Sequence, residues 1–499
     1  MKDRVSLTDF LMYHKETHPI SFHMPGHKGR STLYGIYGFG DFIKNVVGND
    51  ITEIPGADAL QQPRERIKDI MEGYAGLYGA KHTELLVNGS SAGLMASILG
   101  SVPRGGKLLM GRNSHKSVYG ALRLGGIDPV YIMPEIDSET GLQLGLDPDK
   151  IEMALIEDPG IKAVLVTSPN YYGVLSDIER IASIVHLHGR ILIVDQAHGA
   201  HLKFFDYLRS EDGLPHRAAE NCGADIVVDS THKTLLSFTG SAILNICTER
   251  PDVSRISELL RMLQTTSPSY LLMGSLDINQ QILRMDGYNL IKNWDADIKY
   301  FYEEAAQIAG LGLIDRIDLD ETKVSITMSA LGLSGPELAE ELEKRNIWVE
   351  LTHGDYVMLM TGIGNERGDY EDVLSALRDL SAHHGGRIQG VEPESSASKT
   401  ESAAQEAVQK QAKNEAQAAN KNASQLVDKI AELRTPSSDS ALIERLEQRK
   451  IPDTYEEVPL YSAEGRVLYE SIIPYPPGTP IACPGEVLSK SVILYVRDQ

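Results

Sequence analysis

From about residue 60 onward, short apolar runs alternate with amphipathic ones. PRERIKDIMEGYAGLYG carries apolar residues at helical spacing, which predicts a helix. HTELLVNGSSAG predicts a strand entering a Gly/Ser turn, and LMASILGSV a helix after it. KLLMG predicts a strand, and KSVYGALRLGG a helix ending at glycine. PVYIMP, AVLVTSP, ILIVDQAH and ADIVVDS are apolar runs of strand length rich in β-branched residues, most of them separated by helical segments. Strands alternating with helices predict an α/β domain with a mainly parallel sheet. Several of these strands end in polar residues, where such a domain keeps its chemistry.

The same pattern divides the chain. Residues 1–49 form an arm, with a short helix over SLTDFLMYHKE capped at Ser6 or Thr8, followed by the Pro/Gly-punctuated loop HPISFHMPGHKGR. Residues 50–290 form the large domain, and residues 291–390 a smaller α/β unit. Residues 391–439 are rich in Ala, Gln, Ser, Lys and Glu, which predicts a linker or exposed helix open to proteolysis. Residues 440–499 regain apolar content as a C-terminal domain or tail.

Composition narrows the function classes. The 499 residues are too many for one small domain. A formal charge of −22 leaves no basic excess to meet phosphates, which argues against nucleic-acid binding. It agrees with a cationic substrate and equally with ordinary solubility. Three cysteines far apart, Cys222, Cys247 and Cys483, match neither a disulfide framework nor a zinc ribbon and fit a reducing compartment. The N-terminus lacks the apolar core of a secretion signal, and no apolar run reaches the ~18 residues of a membrane span. The expectation is a cytoplasmic protein without a membrane partner.

Three strand ends carry candidate chemistry. Asn88-Gly89-Ser90-Ser91-Ala92-Gly93 opens a helix with small residues and free N–H groups, either an anion cradle suited to phosphate or an ordinary strand–helix joint. Asp195 ends ILIV, close to His198 and His201. It reads as a partner for a protonated ring nitrogen, as a cap, or as a metal ligand with those two histidines, although no second cluster supplies further ligands. Lys233 follows ADIVVDSTH as a solvated strand-end lysine or as a Schiff-base lysine whose apolar surroundings depress its pKa. Each signal is modest alone. Phosphate cradle, aspartate and lysine, in that order and each at a strand end, are together the anchors of pyridoxal 5'-phosphate.

On these residues the chain resembles the group III, fold-type-I pyridoxal-phosphate decarboxylases of ornithine, lysine and arginine, in the shorter bacterial form without the N-terminal wing domain. The resemblance rests on FHMPGHKGR (22–30), NDITEIPGAD (49–58), LLVNGSSAG (85–93), RNSHKSVYGAL (112–122), VTSPNYYGV (166–174), VDQAHGAHL (194–202), DSTHKTL (229–235), LQTTSPSYLLMGSLD (263–277) and YPPGTPIACPGE (475–486). It implies an aspartate-aminotransferase-like large domain, a smaller C-terminal α/β domain, and decarboxylation of a dibasic L-amino acid. It implies that Lys233 holds the cofactor, Asp195 pairs with its pyridine nitrogen and His115 stacks on the ring. Ser90, Ser91, Ala92, Ser230 and His232 serve the phosphate. Thr265 reaches the phosphate of a neighbouring subunit in a homodimer. His198 lines the pocket near Cα, and His232 or Lys233 returns a proton to Cα. Glu486, and then Asp58 from the partner subunit, are the acids for the substrate's distal cation. No metal is implied. His23 and His27 receive a structural rather than a chemical role.

The chain departs from the family where GADALQQP lacks a further acid and histidine, and where Gly240 stands in SFTGSAILNI. LNI and TTSPSYLLMGSLD lean towards the arginine-acting members. The competing readings are another fold-type-I reaction, such as an aminotransferase or a β-eliminating lyase, and a non-catalytic homologue.

Overall fold

A computed structural model describes residues 6–388, 446–447, 449, 454–473 and 478–498. The linker expected at 391–439 lies outside the described residues, as does the start of the C-terminal segment.

The N-terminal helix Leu7–Glu16 starts at Ser6, whose side chain caps the Asp9 N–H while Asp9 returns the bond. Strand β1 (Ile20–Phe22) follows. The large domain then supplies β2 (His82–Leu86), β3 (Lys107–Gly111), β4 (Asp128–Ile132), β5 (Ile161–Thr167), β6 (Ile191–Asp195), β7 (Ile226–Asp229) and β8 (Ala242–Ile246). They form one sheet in the order β2-β8-β7-β6-β5-β3-β4, and β8 alone runs antiparallel to its neighbours. The fold class expected from the alternation is the one observed. The sequence reading had no strand at Ala242–Ile246, and this is the antiparallel member.

The apolar runs are continuous because both faces of the sheet are covered. Leu108 and Met110 of β3 pack under helices Gly89–Ser101 and Lys116–Gly125. Leu109, between them, packs on the other face with Ile151 and Val185 from helices Pro148–Glu157 and Ile178–Leu187.

The boundary expected near residue 290 falls inside a 36-residue helix, Tyr270–Ala305, which joins the two lobes instead of separating them. Beyond it, β9 (Gly312–Leu313), β10 (Lys323–Thr327), β12 (Leu351–His353) and β13 (Tyr356–Met360) make an antiparallel sheet in the order β12-β13-β10-β9. β11 (Ile347–Val349) instead pairs in parallel with β1, Ile20 opposite Ile347, so the arm is part of the small lobe.

Two contacts bring this lobe onto the large domain. Gly26 N–H donates to His232 O at 2.8 Å, and Gly364 N–H donates to Gly26 O at 3.0 Å. A Cβ at Gly26 would collide with the backbone of Thr234 and Leu235, so only glycine permits this approach. Asp320, fully buried, meets His201 Nε2 at 3.1 Å and accepts from Thr322 Oγ1 at 2.8 Å.

Burial opposes ionisation of Asp320, but His201, Lys323 and Thr322 outweigh it and lower its pKa from 3.8 to about 2. A carboxyl depressed on folding stabilises above its unfolded pKa and loses that contribution as pH falls through the folded one. Stability supplied by Asp320 is therefore expected to vanish between about pH 4 and about pH 2, and Asp320→Asn to flatten that part of the unfolding-midpoint profile. An identical acid limb in the variant would contradict this.

Candidate active site

The carboxyl ends of the central strands open on one cavity of about 510 Å³. Lys233 lies in the single helical turn Thr231–Thr234 after β7. Asp195 is the last residue of β6, and His198 follows in the turn beyond it. His115 caps helix Lys116–Gly125 after β3, and Ser90 stands in the first turn of helix Gly89–Ser101 after β2. All five line the cavity together with His232. The fold thus assembles what the sequence shows only as separate strand ends.

Lys233 Nζ lies 2.9 Å from His198 Nε2. Burial lowers the Lys233 pKa, with Asp195 and Glu350 opposing. Asp195 is raised by burial, with Lys233 opposing. Its Oδ1 accepts the Ala197 N–H at 3.2 Å. Burial, helped by nearby lysines, brings His115 to about 4 and His198 well below its ordinary value. His232 is likewise brought to about 4, chiefly by burial. The three imidazoles are neutral at neutral pH. His232 Nδ1 sits 2.7 Å from Ser241 O, which places its proton on Nδ1 and leaves Nε2 as the acceptor.

The phosphate cradle has two features of an anion site. Helix Gly89–Ser101 has no side-chain cap at Asn88, so the first-turn N–H groups around Ser90, Ser91 and Ala92 lack the usual intrahelical acceptor. The Ser230 hydroxyl is fully buried and has no hydrogen-bond partner. A buried orphan hydroxyl is costly unless a ligand completes it. Thr265 is exposed on its own chain, its N–H 3.4 Å from Asn88 Oδ1 beside this turn, and it does not line the cavity.

His201 turns to Asp320, not to Asp195, and among the described residues no group of three His, Cys, Asp or Glu side chains is placed to hold a metal. Of the N-terminal motif, His23, Met24 and Pro25 line the cavity. Lys28 is buried, donating to His23 O at 2.6 Å and to Met360 O at 2.9 Å.

Neither expected substrate acid lines this cavity within its own chain. Glu486 is buried in a two-point ion pair with Arg112, Oε1 to Nε at 3.0 Å and Oε2 to Nη2 at 2.8 Å, and it accepts the Cys483 N–H at 2.7 Å. Arg112 also donates to Pro480 O at 2.9 Å, so the pair clamps the C-terminal segment whose Thr479, Pro480 and Ile481 line the cavity. Removing one partner of a buried pair strands the other charge. Glu486→Ala is expected to lower stability by about 3–5 kcal/mol, read as a drop in the denaturant midpoint. Unchanged stability with a raised KM would return Glu486 to the substrate. Asp58 accepts the N–H groups of Ala59, Arg64, Glu65 and Ile67 on its own chain, away from this cavity.

The structure adds residues that the sequence reading did not select. Among the described residues, the one acidic side chain lining the cavity besides Asp195 is Glu350, just after β11. Its Oε1 accepts Tyr171 OH at 2.8 Å and its Oε2 accepts the Met24 N–H at 3.0 Å. Lys323, at the start of β10, reaches the other side of His198, its Nζ 3.0 Å from Nδ1. The available signal was a charged residue at the edge of an apolar run, in KVSITMSA and in IWVELTHG.

A seven-stranded, mostly parallel sheet with a half-buried lysine, an aspartate and an anion cradle at its strand ends is the architecture of fold-type-I pyridoxal-phosphate enzymes. Solved structures agree at the level of fold. The constitutive lysine decarboxylase of E. coli superposes with a TM-score of 0.67 at 20% identity, over 98% of this chain and 77% of that one. Lysine decarboxylase A from Pseudomonas aeruginosa gives 0.67 at 21% identity, over 98% and 75%. The model of the Orn/Lys/Arg decarboxylase major domain matches residues 5–308, and that of the family's C-terminal domain matches residues 439–498. The arginine decarboxylases of Bacillus anthracis and Bacillus subtilis (strain 168) are each 30% identical to this chain. These matches cover 98% and 97% of this chain, and 91% of each relative. The chain belongs to the Orn/Lys/Arg decarboxylase family and is an amino-acid decarboxylase.

Proposed function

We propose that the chain decarboxylates L-arginine to agmatine and CO₂ with pyridoxal 5'-phosphate as cofactor. The observation that carries this reading is the convergence of Lys233, Asp195 and Glu350 on one cavity, with the orphaned Ser230 hydroxyl three residues before the lysine. The residues fit the cofactor. Lys233 Nζ would be its attachment point, Asp195 would pair with its ring nitrogen, and His115 would stack on the ring. The N–H groups of Ser90, Ser91 and Ala92, with Ser230 and His232, would hold its phosphate. When bound, it supplies the electron sink for the pair left on Cα as CO₂ departs.

The chain's own groups do the rest. Asp195, buried, remains ionised only against a cation and so favours a protonated partner nitrogen. Pro25, Val349, Pro480 and Ile481 give the cavity apolar wall, which limits water and favours loss of a charged carboxylate. Lys233 Nζ, held by His198, is the group placed to return a proton to Cα, and His232 is the second such group. Glu350 is the acid for the substrate's distal cation. Its oxygens keep lone pairs beyond the two donors they already meet. Arginine is favoured over lysine or ornithine by the 30% identical relatives, which carry that name.

Exposed apolar side chains on the arm, Leu7, Phe10 and Leu11, and on the following segment, Val47 and Ile54, support a homodimer that covers them. Three free cysteines support a cytoplasmic site, and no helix among the described residues is long and apolar enough to cross a membrane.

The test is an amine assay. The protein, with the cofactor added, receives equimolar arginine, lysine and ornithine, and mass spectrometry reads agmatine, cadaverine and putrescine. Dominant agmatine is the expected result. Dominant cadaverine or putrescine would overturn the substrate, and no amine from cofactor-loaded protein would overturn the reaction.

A further inference from the structure

Lys323 is fully buried at the start of β10, and its Nζ meets three groups: Tyr171 O at 2.7 Å, His198 Nδ1 at 3.0 Å and Asn170 O at 3.3 Å. His198 Nε2 meets Lys233 Nζ at 2.9 Å. One imidazole therefore bridges the fully buried Lys323 and the half-buried Lys233 through its two nitrogens. A neutral imidazole carries one proton and one lone pair. It donates to one lysine and accepts from the other, so at most one of the two amines is an ammonium. The lysine that receives the ring N–H must offer a lone pair.

Two arrangements satisfy this count, and the surroundings choose between them. Charged Lys323 gives its three protons to two backbone carbonyls and Nδ1, and bonds from an ammonium are stronger than those from an amine. The Tyr171 ring lies 5.5 Å from Nζ and adds attraction for a cation. Burial lowers both lysines, Lys323 to about 7 with Asp320 and Glu350 opposing, and Lys233 with Asp195 and Glu350 opposing, so the geometry of the donors decides between them.

We infer that Lys323 is a positioning residue that takes the shared positive charge, so that His198 presents Nε2–H to Lys233 and holds its amine neutral and nucleophilic. The proton balance is simple. Protonated Lys233 passes one proton to Nε2, Nδ1–H passes to the Lys323 lone pair, and the charge moves from one lysine to the other with nothing gained or lost. This inference rests on the reading of Lys233 as the reacting amine.

The test uses the full chain freed of cofactor. Histidine ¹⁵N resonances, with His198 assigned by its loss in His198→Gln, report the tautomer at neutral pH. The expected form is Nε2–H with Nδ1 unprotonated. In Lys323→Met the tautomer should reverse as Nδ1–H turns to a freed carbonyl. The pH midpoint for acylation of Lys233, read by mass spectrometry, should then rise by about one unit or more. Lys323→Arg should restore Nε2–H. An Nδ1–H tautomer in the unmodified protein would overturn the inference even if Lys323→Met did not fold, as would an unchanged tautomer and midpoint in a folded variant. Borohydride trapping of the cofactor on Lys233 tests the cofactor reading separately, so the two fail independently.

Discussion

Lys233→Ala is expected to reduce kcat by about 10⁴-fold or more, the scale seen when the covalent group of a catalytic constellation is removed. The fold should survive. Desolvation lowers the pKa of the half-buried Lys233, a cost to its charged form that alanine removes. His198 loses its 2.9 Å partner but keeps Lys323 on its other nitrogen. Two readings check the outcome. Borohydride reduction with pyridoxal 5'-phosphate should label the unmodified protein at Lys233, and label nothing at that position in the variant. Turnover should vanish while the melting temperature stays close to the unmodified value. A variant that still releases amine at a comparable rate would remove Lys233 from the chemistry.

The second large effect belongs to Glu350→Gln. The substitution keeps the shape of the side chain and an acceptor for Tyr171 OH, and removes the charge. If Glu350 meets the distal guanidinium, the loss is that of a hydrogen bond to a charged group, about 2–3 kcal/mol, or about 30- to 150-fold in kcat/KM for arginine. Binding away from the reacting bond is felt alike in ground and transition states, so the change should fall mainly on KM. A shorter substrate without a distal cation should lose far less, and that comparison separates substrate recognition from general damage. An unchanged KM for arginine would send the search back to Glu486 and to acids from a partner subunit. The contrast with Glu486→Ala is direct: one variant should lose affinity and the other stability.

Much of this protein was readable from its amino-acid sequence, for local reasons. The strands of the large sheet appear as short apolar runs because both faces are buried, and the helices between them carry the 3.6-residue period. Ser90, Asp195 and Lys233 stand out because each ends or soon follows such a run, and a charge or hydroxyl there must have a partner; His115 comes only from the family resemblance. Where a parallel sheet places its strand ends is a property of the fold class, so their convergence could be expected without coordinates.

What the sequence did not contain is pairing across distance. Periodicity tells which face a residue takes and says nothing about which segment lies opposite. Thus β8 reads as an apolar run, and only its register against β2 and β7 makes it antiparallel. The boundary near residue 290 vanished into a helix because a composition-based division cannot see two lobes packed on one continuous element. Glu486, which the family resemblance assigns to the substrate's distal cation, is held at both oxygens by Arg112, 374 residues away. Lys323 and Glu350 looked like edges of core strands, and the small lobe carries both to the cavity wall. The chemistry of the large domain's strand ends was therefore set by local sequence. The charge partner of the C-terminal segment, the second lysine on His198 and the acid on the cavity wall were decided by tertiary packing, because burial makes an unpaired charge costly and only the fold determines where its partner stands.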